Sequence, residues 1–404
     1  MQPISLYLHI PFCTHRCGYC DFNTYAGQES LIPAYISALC VEIRACHQAA
    51  GWRFPVHTIF FGGGTPSLMS SADLESILAQ LDLCFDLQSN LEISLEANPG
   101  TLSLPYLQDV RKLGINRISL GVQSANPSEL RLLERIHDYP DVIQSFTWAR
   151  RAGFDNINLD LIFGLPEQTL ETWQKTLKVV CGLHPEHFSL YALTIEHDTP
   201  FGSWERRGIL SSPDPDLAAD MYEWAASTLE ERGYLQYEIS NWALQAPGEE
   251  VSPGASPTLS CRHNLQYWRN LPYLGLGAGG HGYAAGVRTA NVLLPISYIK
   301  RMEIPIHTPL RFPRTPATHT AQEIDEATEI GETMMMGLRL IREGVSDTKF
   351  SARFMLSLED QFPAQIDRLI GLGLLEWALD GPGKSLRLTP RGHLLANRVF
   401  IEFI

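Results

Sequence analysis

The sequence predicts an α/β protein: a partial barrel of six strand–helix units, then a small winged-helix-like α+β module. Short apolar, β-branched runs recur at Ile4–His9, His57–Phe61, Leu91–Leu95, Arg117–Val122, Ile157–Phe163 and His187–Ala192. Helical periodicity follows these runs, the pattern of right-handed βαβ units on a parallel sheet. Six units fall short of a closed eight-fold barrel. The C-terminal part reads as helices interrupted by two short strands. Three segments are expected: a core over 1–240, a connection over 241–306 and the C-terminal module over 307–404.

The elements follow in order. Behind the second strand, Ser70 and Ser71 offer caps, and Leu74, Ile77, Leu78 and Leu81 recur at helical spacing. Polar and glycine residues then mark the strand ends. Gly62-Gly63-Gly64-Thr65-Pro66 follows the second strand, and Glu96 closes the third in Leu95-Glu96-Ala97-Asn98-Pro99. The fourth ends in Gly121-Val122-Gln123, and the fifth carries Asp160 before Gly164-Leu165-Pro166. Ligands of α/β sheets and barrels bind outside the carboxyl ends of parallel strands, where several strands converge. That face is the expected site, and the loop after the first strand opens onto it.

This loop reads Tyr7-Leu8-His9-Ile10-Pro11-Phe12-Cys13-Thr14-His15-Arg16-Cys17-Gly18-Tyr19-Cys20-Asp21-Phe22. Cys13, Cys17 and Cys20 form a C-x3-C-x2-C array. Thiolates are soft ligands that suit iron–sulfur clusters and zinc. Structural zinc wants four ligands, and no fourth Cys or His stands at metal spacing beside these three. A 4Fe-4S cluster with one iron left open is therefore the reading preferred over zinc. His9, in a strand, is read as a hydrogen-bonded core residue, and His137 likewise.

The composition is that of an ordinary globular chain, 45% hydrophobic and 19% charged. The net charge of −14 argues against holding a phosphate backbone over a broad surface. No apolar run approaches the ~20 residues of a membrane span, and no signal peptide is visible. Eight cysteines in 404 residues do not make a secreted disulfide framework. Cys40, Cys46, Cys84 and Cys181 fall in helix-like segments as reduced thiols, so a reducing cytoplasm is expected.

The cysteine loop resembles that of the radical S-adenosylmethionine superfamily, and the Y-x-H-I-P-F-C lead-in resembles one branch of it. That branch holds oxygen-independent coproporphyrinogen III oxidase, a dehydrogenase, and its relatives, the HemW-type heme chaperones. The resemblance makes 1–240 a radical S-adenosylmethionine core barrel whose Cys13, Cys17 and Cys20 ligate a 4Fe-4S cluster. It assigns Tyr7, Tyr19, Gly63, Gly64, Thr65, Glu96, Gln123, Arg135 and Asp160 to binding S-adenosylmethionine, with Thr194 a further carry-over. The residue types agree: carboxylates suit ribose hydroxyls, an Arg can pair with the methionyl carboxylate, and a glycine backbone can offer N–H and C=O groups at close range.

Gln245 to Leu259 is rich in Pro, Gly and Ser and reads as an exposed insertion. Directly after it, Cys261-Arg262-His263-Asn264-Leu265-Gln266-Tyr267-Trp268 matches the H-N-x-x-Y-W motif of the chaperone branch, which implicates His263 in heme binding. Histidine is an axial heme ligand, and Tyr and Trp offer flat faces. The alternative is an aromatic strand packed on the barrel mouth, with His263 merely hydrogen-bonded. Gly275-Leu276-Gly277-Ala278-Gly279-Gly280 fits G-x-G-x-x-G, but it lacks a following helix and is rejected as a dinucleotide site.

Thr308 to Thr320 reads as a linker. Beyond it, Ile324, Ala327, Ile330, Met334, Leu338 and Ile341 share one helical side. A helix around Pro363–Leu372, strands at Leu374–Ala378 and Ser385–Leu388 joined by Asp380-Gly381-Pro382-Gly383-Lys384, and a final helix complete the module. The segment from Gln361 to Leu372 has Arg368 as its lone base, too little charge for a DNA reader.

Two readings of function follow from the resemblance. One is a heme chaperone that binds the cluster, S-adenosylmethionine and heme and passes heme to an acceptor protein. It implies an electron donor for the cluster and a peripheral approach to any membrane acceptor. The other is coproporphyrinogen III dehydrogenase, which converts two propionates to vinyl groups. Dehydrogenases carry a fourth cysteine where Phe22 stands here, carry an N-terminal extension ahead of the loop, and lack H-N-x-x-Y-W. All three features favour the chaperone, with no catalytic residue assigned. A radical enzyme acting on RNA is disfavoured by the acidic balance.

Overall fold

A computed structural model describes residues 2–305, 309–379 and 383–404. The six expected strands are present as β1 (Ile4–Ile10), β2 (Pro55–Gly63), β3 (Asp86–Ala97), β4 (Arg117–Gln123), β5 (Ile157–Phe163) and β6 (His187–Ala192). The helices that follow the first five are α1 (Ile32–Ala50), α2 (Ser71–Cys84), α3 (Leu104–Lys112), α4 (Tyr139–Arg151) and α5 (Leu170–Cys181). Ser70 caps α2 in a reciprocal box with Asp73, the Ser70 hydroxyl accepting the Asp73 N–H and the Asp73 carboxylate accepting the Ser70 N–H. Such a cap contributes about 1 kcal/mol.

Contacts divide the chain into two compact units. The first holds the chain up to Glu186, Leu190–Tyr222 and Pro272–Glu323. The second holds His187–Ser189, Glu223–Leu271 and Ile324 to the C-terminus. The units are interleaved, unlike three successive segments, and the stretch 241–306 is shared between them.

In the first unit β1 to β5 pair in parallel, with Leu6 opposite Ile59, Ile59 opposite Ile93, Glu96 opposite Ser119 and Leu120 opposite Leu159. Leu6, Leu8, Ile59, Phe61, Leu95, Ile118, Leu120, Leu159 and Leu161 are all buried. Near-continuous burial along a strand is what helices on a parallel sheet produce. All these strands run one way, so their carboxyl ends share one edge. On the other side of β1, Tyr273–Leu276 adds in parallel, followed by His281–Ala284, Val287–Asn291 and Thr318–Glu323 in antiparallel order.

The glycine run Gly275–Gly280 is therefore the turn of a strand pair. A Cβ on Gly275 would lie 1.8 Å from the His281 carbonyl oxygen, so only glycine fits there. The expected linker is also more ordered than its composition suggests. Its start at Thr308 lies outside the described residues, but Thr315 and Ala317 are buried and Thr318–Glu323 is a sheet strand.

The second unit packs Ile330, Met334, Leu338, Phe350, Ile366 and Leu386 into one core. The helices Glu326–Gly337, Asp347–Phe354 and Pro363–Gly371 surround a small sheet of Val345–Ser346, Ser385–Leu388 and Leu375–Ala378. This is the winged-helix-like arrangement, with Asp380–Pro382 of its turn outside the described residues. Two short helices, Pro390–Leu394 and Ala396–Phe400, replace the expected final one. Ala327 is exposed, so the apolar side of the first helix starts later than its spacing suggests. Arg368 is paired with Glu402.

The stretch from Gln245 to Leu259 is tied down by polar contacts. Ser256 donates to Glu343 at 2.7 Å, and Arg342 donates to the Ala255 carbonyl at 2.9 Å. Arg262–Trp268 is a helix, which corrects the aromatic-strand alternative.

Candidate functional site

One cavity of about 390 Å³ opens at the carboxyl edge of the parallel strands. That size is in the range of small-molecule sites. Cys13, Cys17 and Cys20 line it, as do Tyr19, Gly63, Gly64 and Thr65. Glu96, Gln123, Arg135, Asp160 and Thr194 complete the set of expected residues on its wall. Two expected residues stand elsewhere: Tyr7 is not on this wall, and His263 belongs to the second unit.

The cysteine loop is held by backbone and side-chain bonds from its surroundings. Tyr25 N–H donates to the Pro11 carbonyl at 2.7 Å, and Phe201 N–H donates to the Gly18 carbonyl at 3.0 Å. His9 Nε2 lies 2.9 Å from the Asn23 carbonyl oxygen and Nδ1 lies 3.0 Å from the Tyr7 hydroxyl. A carbonyl only accepts, so Nε2 carries the proton and Nδ1 accepts from Tyr7. Burial holds the His9 pKa down, in keeping with a neutral ring. This explains the position of Tyr7, whose hydroxyl proton is directed to His9.

The glycine run packs directly against that loop. Gly64 N–H donates to the Ile10 carbonyl at 2.8 Å, and Thr65 N–H to the Phe12 carbonyl at 2.8 Å. Gly63 N–H donates to Glu96 Oε2 at 3.1 Å. These three N–H groups are thus engaged within the protein, which corrects the expectation that they face a ligand. The glycines also permit a close approach of the chain to the cysteine loop. A Cβ on Gly64 would lie 2.6 Å from the Phe12 carbonyl oxygen and 3.0 Å from Cys13 Sγ. Gly63 has φ +115°, and its Cβ would meet the His9 ring at 2.6 Å.

Two carboxylates face the cavity. Asp160 accepts from Ser119 Oγ at 2.8 Å and Asn158 Nδ2 at 2.8 Å. Burial, aided by the neighbouring Asp160 charge, pushes the Glu96 pKa up to about 8. A pair of hydroxyl donors placed between them would relieve that repulsion. Gln123 sits at φ +64°, a left-handed conformation that costs a non-glycine residue energy and turns the chain at the end of β4.

Arg135 donates to the Gly121 carbonyl at 2.9 Å and to Asn98 Oδ1, and its Nη1 lies 3.8 Å from Cys17 Sγ. Asn98 lines the cavity too. The sequence displays it in the Glu96-Ala97-Asn98-Pro99 string at a strand end, the one signal that marks it. Ser119, Glu134 and Tyr191 also line the cavity, and no motif singled them out.

The donor set fits an iron–sulfur cluster. None of the three cysteines forms a disulfide. The Thr24 hydroxyl is buried beside Cys13 and Cys20 without a hydrogen-bond partner, a donor for which thiolates at those positions would be the acceptor. Among the described residues, no three His, Cys, Asp or Glu side chains are grouped tightly enough to ligate one ion. Three thiolates from one loop are the donors that an iron–sulfur cluster takes, each at a separate iron.

His263 lies in the helix Arg262–Trp268, 1% exposed, with Nε2 2.8 Å from the Tyr267 hydroxyl. Its ring meets that of Tyr267 edge-on at 4.9 Å. The Arg339 guanidinium sits 4.5 Å from the centre of the Trp268 ring. No helix among the described residues is long and apolar enough to cross a membrane.

Residues 7–180 match the radical SAM superfamily, and residues 324–395 match the HemN C-terminal domain. The heme chaperone HemW of Bacillus subtilis is 37% identical over 401 residues, covering 99% of each chain. The HemW of Escherichia coli is 35% identical over 405 residues, covering 100% of this chain and 99% of that one. The solved structure of coproporphyrinogen III oxidase (HemN) from Escherichia coli, a radical SAM enzyme, matches with a TM-score of 0.80 at 25% identity, covering 99% of this chain and 90% of that one. With likeness to the heme chaperones running the full length of both chains, and three thiols converging on a cavity at the strand ends, the chain belongs to the HemW heme chaperone family of the radical SAM superfamily.

Proposed function

We propose that the protein is a heme chaperone that holds a 4Fe-4S cluster and S-adenosylmethionine in the cavity, binds heme at His263, and passes heme to an acceptor protein. The observation that carries the cofactor part is the convergence of three thiols, two carboxylates and Arg135 on one wall. Cys13, Cys17 and Cys20 are the cluster ligands. Tyr19, Gly63, Gly64, Thr65, Gln123 and Thr194 shape the S-adenosylmethionine site, and Glu96 with Asp160 accepts its ribose hydroxyls. Arg135 faces its carboxylate. When bound, the cluster supplies one-electron chemistry and an open iron for the amino acid end of S-adenosylmethionine. The protein's own part is to exclude water, fix the loop against Gly64 and Thr65, and hold donors near the sulfurs.

Tyr7 acts through His9, orienting the base of the loop. At His263, heme coordination requires Nε2 to exchange its Tyr267 contact for iron, or the ring to turn. The eight cysteines suit a reducing cytoplasm, and an electron donor reaches the cluster there.

The solved oxidase shares the fold, so decarboxylation of coproporphyrinogen III is the competing reading. Phe22, 64% exposed, stands where that enzyme's class carries a fourth cysteine. The deciding experiment is an anaerobic assay of cluster-loaded protein with coproporphyrinogen III, S-adenosylmethionine and a strong reductant, read by mass. The chaperone reading expects stoichiometric heme binding and no loss of carboxylates. Decarboxylated product at catalytic turnover would put the dehydrogenase first.

A further inference from the structure

Asn98 joins the two halves of the cavity wall. Its Oδ1 accepts from Arg135 Nη2, and its Nδ2 donates to Thr65 Oγ1 at 3.0 Å. Thr65 Oγ1 in turn lies 3.5 Å from Cys13 Sγ, within a buried contact. The polarity of this chain is forced from one end. A guanidinium has donors only, so Asn98 must turn its oxygen to Arg135 and its NH2 to Thr65. The Thr65 oxygen then accepts from Asn98, and its single proton points to the Cys13 sulfur. The Thr24 hydroxyl, beside the same sulfur, has no such neighbour to orient it.

We infer that Asn98 is a positioning residue that aims the Thr65 hydroxyl proton at the Cys13 sulfur and thereby raises the reduction potential of the cluster held there. This rests on the cluster assignment above. Hydrogen bonds to ligand sulfurs stabilise the reduced, more negative cluster and are among the determinants of its potential. Asn98 also couples Arg135, on the cofactor's carboxylate side, to the thiolate.

The test is a midpoint-potential titration, by electron paramagnetic resonance, of anaerobically reconstituted full-length protein. Asn98→Asp still accepts from Arg135 but offers Thr65 an acceptor, drawing its proton away from Cys13. Asn98→Ala removes the donor without adding charge. Both variants should load a full cluster and titrate at a more negative potential than wild type. Thr65→Val should shift it in the same direction. In the Thr65→Val background, Asn98→Ala should add little, because the hydroxyl it directs is gone.

An Asn98→Ala shift that is undiminished in that background, or no shift at all, would overturn the inference. Failure of both Asn98 variants to load a cluster would also overturn it, making Asn98 a folding residue. A wild-type protein that takes up no cluster would instead remove the cofactor reading, and this inference with it.

Discussion

The Glu96 carboxylate accepts the Gly63 N–H at 3.1 Å, joining the ends of two neighbouring parallel strands beneath the cavity. Glu96 thus both closes the turn after β2 and faces the site. Its pKa of about 8, raised by burial and Asp160, turns that arrangement into a pH dependence. The folded-state value lies above the usual 4.5. Folding therefore favours the protonated form, and this contribution is complete below about pH 4.5 and lost as pH rises through about 8. Glu42, also raised by burial, acts in the same direction. Cluster-free protein should lose thermal stability between about pH 5 and 8, and Glu96→Gln should flatten that slope. Equal slopes for wild type and variant would count against the raised value.

Gly64→Ala tests the packing of the cysteine loop. The added Cβ would press on Cys13 Sγ and on the backbone oxygens of Phe12 and Ile10, and those two oxygens cannot rotate away. The loop must shift, and Cys13 moves with it. The variant should keep its helical circular dichroism yet take up several-fold less iron on reconstitution, with a weak absorbance near 400 nm. Wild-type iron content would show that the loop does not depend on this contact.

Much of the fold was legible because it is written in local periodicity. Ile157–Phe163 is an apolar run with one inward carboxylate, and its limits as a strand match the expected ones. Once such strands are parallel, their carboxyl ends must share an edge, so the face that carries the cavity could be read from the sequence. What the sequence hides is the direction of hydrogen bonds. The Gly64 and Thr65 N–H groups point into the cysteine loop, and nothing in a glycine run distinguishes that from pointing at a ligand. Asn98 looks like a turn residue until Arg135 and Thr65, distant in sequence, are beside it. The interleaved units are equally illegible, since Glu223–Leu271 and the chain from Ile324 onward form one unit through contacts that no local pattern records.

Glu42 illustrates the same point within α1. It is fully buried and accepts from Gly277 N at 2.7 Å, Asn291 Nδ2 at 2.8 Å, Tyr298 Oη at 2.7 Å and Thr315 Oγ1 at 2.7 Å. Tyr35 beside it donates to the His9 carbonyl at 2.8 Å and accepts from Ala278 N at 2.7 Å. The glycine turn is thereby fastened to the strand that leads into the cysteine loop. Glu42→Ala leaves four donors without their acceptor, each costing about 1–3 kcal/mol when buried and unsatisfied. A loss on the order of 3 kcal/mol or more is expected in denaturant unfolding of the cluster-free protein. Glu42→Gln should lose less, because Thr315 or Tyr298 can reverse its hydroxyl. A neutral Glu42→Ala would mean that water replaces the carboxylate.

The heme assignment makes a prediction that separates coordination from packing. His263 Nε2 and the Tyr267 hydroxyl are 2.8 Å apart on one turn of helix, so on that assignment heme iron would compete with Tyr267 for this nitrogen. His263→Ala should weaken heme binding roughly tenfold or more, about 1.4 kcal/mol or greater, without disturbing the cluster. Tyr267→Phe keeps the aromatic ring but removes the competing hydroxyl, whose hydrogen bond is worth about 0.5–1.5 kcal/mol. It should therefore bind heme about two- to tenfold more tightly. Titration of the Soret band across wild type, His263→Ala and Tyr267→Phe reads both effects. If His263→Ala leaves heme affinity unchanged, His263 is a buried hydrogen-bonded residue and the ligand lies elsewhere. If instead Tyr267→Phe weakens binding, the tyrosine hydroxyl contacts the heme, and the pair acts together rather than in competition.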